Sequence, residues 1–352
     1  MSFLFIGSTG DRAGHSLIAW AIARRLVEKG LNVGFLKPFG TNPIHIEDLW
    51  TDPDAFLFRE VLNLHEPFDR ICPYLVSEEA WRQKETQEII DRIKSLAQEL
   101  SIGKDILLIM GSRQIFFDDV SCHVSDIAIT TDLMADFVLV NRYRETSRSI
   151  YSILSVSSLL KDRIKGIILN RVPAEKLEEI KDHVVPSLVQ KGIPITTTLP
   201  EDPVLSFRSL GEIREALDGE ILWGDESLGQ PVSGMTVGSA DLRGKLQLFK
   251  RAYNKIILLA PSLDREIEET ATHRPVAGIV LTGGRNPAPQ LLQAAKNAGI
   301  PLMLVKGDTF AVLERLEQST PPLSPKDEVK VRYFTELMDI DGSLDRLVET
   351  VT

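Results

Sequence analysis

The stretch GSTGDRAGHSL, residues 7–17, holds the residue types that cradle phosphate. Backbone N–H groups at a turn between a strand and a helix point at phosphate oxygens, a lysine adds charge, and a Ser or Thr hydroxyl reaches magnesium. The strict pattern is G-x-x-x-x-G-K-[ST], and Gly14-His15-Ser16 ends this version of it, while its first glycine position falls on Thr9. The candidate phosphate-binding residues are Thr9, Gly10, Asp11, Arg12, Ala13, Gly14, His15, Ser16 and Leu17. His15 stands where the lysine belongs. Lysine is fully charged at neutral pH, whereas an unperturbed histidine titrates near ~6.5 and is shorter. The loop therefore retains its backbone donors and helix dipole but loses a fixed charge.

Two further turns carry the same strand–loop–helix signal. Thr282, Gly283 and Gly284 follow the strand-like AGIVLTG and precede PAPQLLQ, and Asp308 and Thr309 follow LMLVKG. In an open parallel sheet ligands gather at the carboxyl ends of strands, so both turns are candidates for one ligand crevice or subunit interface. The alternative at each is plain helix capping. The scattered histidines and the two cysteines, Cys72 and Cys122, have no metal-ligand or disulfide spacing.

The elements that must position these residues alternate from the start. FLFIG, NVGFLKP, DILLIMG, DFVLVN and IKGIILNRV read as nearly continuous apolar strands. HSLIAWAIARRLVEKG, TQEIIDRIKSLAQEL and RSIYSILSVSSLLKD between them read as helices. Apolar strands separated by helices predict a parallel α/β sheet covered on both faces. From about residue 215 the chain turns to Gly, Ser and Asp, and a second alternation follows in KIILLAP, VAGIVLTGG and IPLMLVKG. The expected division is 1–218 and 219–352, the second part ending in an amphipathic helix. With 352 residues and 43% hydrophobic content, two domains of ordinary size each have a core. The formal net charge of −10 supplies no basic footprint for nucleic acid and opposes binding to anionic lipid. No apolar run reaches the ~18 residues of a membrane span, and the short apolar N-terminus has no basic lead, so the cytoplasm is expected.

The order of these stretches is similar to a known family. STGDRAGHS resembles the one-residue-longer loop of dethiobiotin synthetase-like P-loop proteins, most of all the version at the front of long bacterial phosphotransacetylases. FLKPFG, DPDAFLFREVLNL, GIILNRVP and LPEDPVLSFRSLGEI resemble later segments of the same domain, and GIVLTGG with IPLMLVKGDTF resembles the DRTGG domain that follows it. The resemblance implies a P-loop NTPase-like domain followed by a smaller α/β domain, and ATP or another nucleotide with magnesium as ligand. It implies Ser16 and Asp54 as magnesium partners, Lys37 as a catalytic contact to substrate and phosphate, and Asn170 near the adenine. Met110 stands where the family carries an acidic magnesium partner, and methionine offers no hard oxygen. The acetyl-transferring domain has no counterpart in this sequence. The expected function is a regulatory or ligand-sensing protein, a homo-oligomer, with a degenerate nucleotide site. The alternatives are an ATP- and magnesium-dependent ligase of the dethiobiotin synthetase kind and a structural partner of metabolic enzymes.

Overall fold

The computed structural model describes residues 2–10, 12–46, 48–76, 84–112, 115, 124–202, 205, 208–229, 231–237, 256–261, 277–287, 289–318 and 322–352. Asp11 and the helix expected over DREIEETATH lie outside them. Two compact units form, one from Met1–Glu201 with Pro322–Thr352 and the other from Asp202–Pro321.

The first unit is built on strands β1 (Ser2–Ser8), β2 (Val33–Leu36), β3 (Ile106–Met110), β4 (Asp136–Arg142), β5 (Ile164–Val172) and β6 (Ile195–Pro200). They lie in the order β6-β5-β4-β1-β3-β2, all parallel. This is why they read as unbroken apolar runs: Leu4, Phe5 and Ile6 of β1 and Leu107, Leu108 and Ile109 of β3 are all fully buried. Phe5 sits beside Phe137 in register and stacks on it at 5.6 Å. Helices α1 (His15–Glu28), α2 (Pro53–Val61), α3 (Thr86–Leu100), α4 (Asp126–Asp132) and α5 (Thr146–Leu160) follow strand ends or connect strands. Because β1 lies between β3 and β4, the chain leaves it in one direction and returns on the other side, which opens a crevice at its carboxyl end.

The second unit begins with β7 (Arg208–Ser209) and α6 (Leu210–Leu217), then β8 (Glu220–Trp223), β9 (Pro231–Val237), β10 (Ile256–Pro261), β11 (Gly278–Leu281), α7 (Pro289–Ala298), β12 (Leu302–Leu304) and α8 (Thr309–Gln318). Its sheet runs β7-β9-β10-β11-β12-β8, with only the β11–β12 pair parallel.

This division differs from the one expected at residue 218. Helix α6 buries Leu210, Ile213 and Leu217 in one cluster with Met303, Val305, Val312 and Leu316, so the second unit starts before it. The C-terminal stretch differs too. It forms two helices, α9 (Glu328–Met338) and α10 (Ser343–Val351), broken at Gly342, and both pack on α1 in the first unit. Arg25 of α1 pairs with Asp339 at 2.6 Å, and Lys29 with Glu349 at 3.4 Å. Apolar side chains of α10, Leu344, Leu347, Val348 and Val351, are buried. No helix among the described residues is long and apolar enough to cross a membrane.

Candidate phosphate site

Loop 7–17 leaves β1 at its carboxyl end and enters α1. Gly10, Arg12 and Gly14 all have positive φ, at 142°, 55° and 82°. Gly14 is the N-cap of α1 and has no side chain of its own to cap it. The first-turn N–H groups of α1 point back toward the loop. Glycine is required at 14 twice over, because a Cβ there would meet Asn170 Nδ2 at 2.5 Å. Asn170 donates that Nδ2–H to the Ala13 carbonyl at 2.8 Å, and its Oδ1 accepts from the Arg171 N–H at 2.9 Å. Asn170 is therefore the brace of the loop, fixing it to the end of β5. Thr9 fixes the other side. Its N–H donates to the Val140 carbonyl, and its Oγ1 accepts from Asn141 Nδ2 at 3.1 Å and the Arg142 N–H at 3.3 Å.

Lys37, just past β2, is 2% exposed, and its Nζ lies 2.6 Å from Asp54 and 3.5 Å from Asp52. Asp52 caps α2, accepting from the Asp54, Thr41 and Asn42 N–H groups. Burial opposes charge on Lys37, but the two aspartates outweigh it and hold the ammonium above the usual lysine range. Burial also pushes Asp54 up. The charges of Lys37 and His15, with hydrogen bonds from Lys37 and Ser16, outweigh that and bring it down to about 2. The structure thus gathers four of the sequence's candidates, His15, Ser16, Lys37 and Asp54, into one electrostatic group. Ser16 and Asp54 are the residues that would hold a magnesium ion, with Lys37 already on one oxygen of Asp54. Among the described residues no three His, Cys, Asp or Glu side chains are grouped to hold a metal by themselves. The loop backbone fits a nucleotide's phosphates. A magnesium nucleotide bound there would supply a transferable phosphoryl group, which the loop N–H groups would position.

Met110 at the end of β3 is fully buried and brings no oxygen to the site. A carboxylate missed by the sequence reading lies just beyond. Asp126, at the start of α4, is fully buried, and its Oδ1 accepts from Ser112 N–H at 2.9 Å and Oγ–H at 3.0 Å. Its Oδ2 has no hydrogen-bond partner among the described residues. Burial pushes its carboxyl up to about 7, against the Ser112 hydrogen bonds and the charge of Lys37. Arginines were also missed. Arg142 is held below the usual arginine range by burial and by crowding from Arg171, Arg144 and Arg12. Arg171 is held below it by burial and by Arg12, against the pull of Glu201. NRYRE at the end of β4 was the available signal in the sequence.

In the second unit, the Thr282 and Thr309 hydroxyls lie 2.8 Å apart, so the two expected turns do meet. Gly283 and Gly284 have φ of 90° and 66°, and their N–H groups donate to the Gly307 and Val305 carbonyls. Asp308 accepts from the Phe310 and Ala311 N–H groups, as a cap does. These contacts are internal to the turns.

An all-parallel sheet with a glycine-bearing loop leading from β1 into α1 is the arrangement of a P-loop NTPase-like protein. The chain belongs to the family described as an AAA domain, which matches residues 3–209, and the DRTGG domain matches residues 212–319. It is homologous to phosphate acetyltransferases. That of Synechocystis sp. is 23% identical, over 97% of this chain and 51% of its own length. This chain therefore spans about half the length of that relative. The ATP-dependent dethiobiotin synthetase BioD of Thermodesulfovibrio yellowstonii is 26% identical, over 59% of this chain and 92% of its own. Among solved structures, the MinC:MinD cell division protein complex of Aquifex aeolicus aligns with 58% of this chain and 84% of that one, at 17% identity and a TM-score of 0.35.

Proposed function

We propose that this protein is a ligand-sensing or regulatory relative of the front part of phosphate acetyltransferases, with a nucleotide site that binds phosphate but transfers it poorly. The observation that carries this reading is the buried Lys37–Asp54 pair at 2.6 Å. Lys37 has its charge spent on two aspartates, and His15 occupies the position from which a loop lysine would act. Phosphoryl transfer depends on neutralising developing negative charge in place, so loss of a free lysine weakens turnover more than binding. The positive-φ turn at Gly10, Arg12 and Gly14 and the Asn170 brace support retained binding. Ser16, hydrogen-bonded to Asp54, favours the second reading, a magnesium-dependent ligase like dethiobiotin synthetase.

Two measurements separate these. Magnesium-dependent ATP turnover near ~1 s⁻¹, within the ordinary enzyme range, sinks the sensing reading. ATP at ~100 times its dissociation constant should stabilise the fold by about 2.7 kcal/mol; no stabilisation leaves the structural-partner reading. Action in the cytoplasm as a homo-oligomer belongs to the same proposal, and sedimentation checks the assembly.

A further inference from the structure

On one side of the phosphate loop the cations already face carboxylates. Lys37 Nζ lies on Asp54 and Asp52, and His15 acts on Asp54 as well. Arg144 stands differently. Its Nη2 lies 4.0 Å from where a Cβ on Gly10 would be, so the guanidinium reaches over the backbone of the loop itself. Gly10 has φ 142°, in the range that favours glycine, and it bears no side chain to come between the two. Arg144 is exposed, and among the described residues no carboxylate pairs with it; the adjacent Glu145 leans on Arg148 at 3.3 Å instead. The backbone explains how the guanidinium is kept there. Thr9 holds the end of β4 through the Val140 carbonyl, Asn141 Nδ2 and the Arg142 N–H. The Tyr143 N–H donates to the Asn170 carbonyl at 2.9 Å, and Asn170 braces Ala13. The residues immediately before Arg144 are thus tied to the loop at both Thr9 and Ala13.

We infer that Arg144 supplies the fixed positive charge of the phosphate site, holding the ligand's phosphate oxygens from the end of β4 in place of the lysine absent at position 15. A guanidinium suits this task. It stays charged at any physiological pH, and it offers parallel N–H groups to two oxygens at once. In the sheet, β4 and β2 lie on opposite sides of β1. The charge therefore arrives from the side away from Asp52 and Asp54, where neither aspartate competes for it. Arg12, carried on the turn of the loop at φ 55°, is the rival source of charge. The inference rests on the reading of the loop as a phosphate-binding site and adds which side chain that site uses.

The test is calorimetry on the full chain with MgATP and with tripolyphosphate, which carries the phosphate charge without the nucleoside. Arg144 is exposed, so R144Q should fold normally, as its melting curve will verify. R144Q should bind both probes at least about tenfold more weakly, the scale of a lost charge-assisted contact. R144K keeps the charge but not the planar fork, and should recover part of that loss. R148Q removes an equal charge from an exposed position nearby, and should bind within about twofold of the parent chain, because solvent screens such charges. Equal MgATP affinity in R144Q and the parent chain overturns the proposal and leaves the nucleotide reading standing. A loss that falls equally on R148Q, the mark of general charge attraction, overturns it too, as does a loss that falls on R12Q alone. Tripolyphosphate binding that depends on Arg144, in a protein that ignores MgATP, supports the proposal and counts against the nucleotide reading. A parent chain that binds neither probe up to about 10 mM overturns both.

Discussion

His15 and Lys37 divide between them what one lysine does in the strict loop pattern. Lys37 has the charge but spends it on Asp52 and Asp54, and His15 has the position but no fixed charge. His15→Lys should therefore tighten ATP binding, because it returns a full charge beside the phosphates and adds a competitor for Asp54. Calorimetry checks this, and unchanged affinity in a folded variant would mean the loop does not cradle phosphate. Asp126 makes a separate prediction, with a sign fixed by its surroundings. Its folded carboxyl titrates at about 7, above the ordinary 3.8. Its stabilising contribution is thus fully present below about pH 4 and is lost as pH rises through about 7. Asp126→Asn cannot ionise. Urea unfolding should show the variant gaining on the parent chain between pH 4 and pH 8, by on the order of a few kcal/mol. Parallel pH profiles would show that Asp126 is not buried as a neutral acid. Nothing in the residue pattern singles this aspartate out. An aspartate opening a helix reads as an ordinary first-turn acid, and only the fold shows it enclosed against Ser112. Lys37, Asp54 and Asn170 were each visible through their family positions, but their pairing was not. Nothing in the spacing says that Asn170 would be bonded to Ala13 across 157 residues.

At the scale of elements, the parallel strands were legible because burial on both faces leaves an apolar run that needs no alternation to be seen. β9 was not, because PVSGMTV lacks such a run, and pairing with β10 rather than composition makes it a strand. The two C-terminal helices were legible as one amphipathic stretch, but not their destination. An apolar face states that it must be covered, not by what. Here the cover is α1 with β5 and β6, and Leu347, 3% exposed, lies over Gly166. A Cβ at Gly166 would sit 2.6 Å from Leu347 Cδ1, so strand and helix meet at the closest distance a side chain permits. Leu347→Ala should cost about 2–5 kcal/mol, the range for emptying a buried leucine site. A urea midpoint unchanged from the parent chain would mean that the C-terminal helices dock without stabilising the first unit.

At the scale of the whole molecule, the second compact unit is an insertion. The chain leaves the first unit after β6, builds residues 202–321, and returns to lay α9 and α10 on α1. The compositional shift near residue 215 places a boundary between α6 and β8, and its difference from the compact unit has a measurable consequence. Composition changes where the loops become long, whereas a folding unit begins where its first buried side chain does. Leu210, Ile213 and Leu217 belong to the second unit's core, and Ser209 and Glu212 lock the start of their helix with a reciprocal capping box. A fragment starting at Glu220 exposes the surfaces of Met303, Val305 and Leu316 that those three side chains cover. A fragment covering 202–321 keeps them covered. The longer fragment should therefore unfold in a single cooperative transition, and the shorter one should be less stable by several kcal/mol, about 2–3 for each large buried side chain lost. Matched thermal and urea melts of the two decide it. If the shorter fragment melts as cooperatively and at the same midpoint, α6 is an ornament on that core, and the boundary belongs where the composition changes.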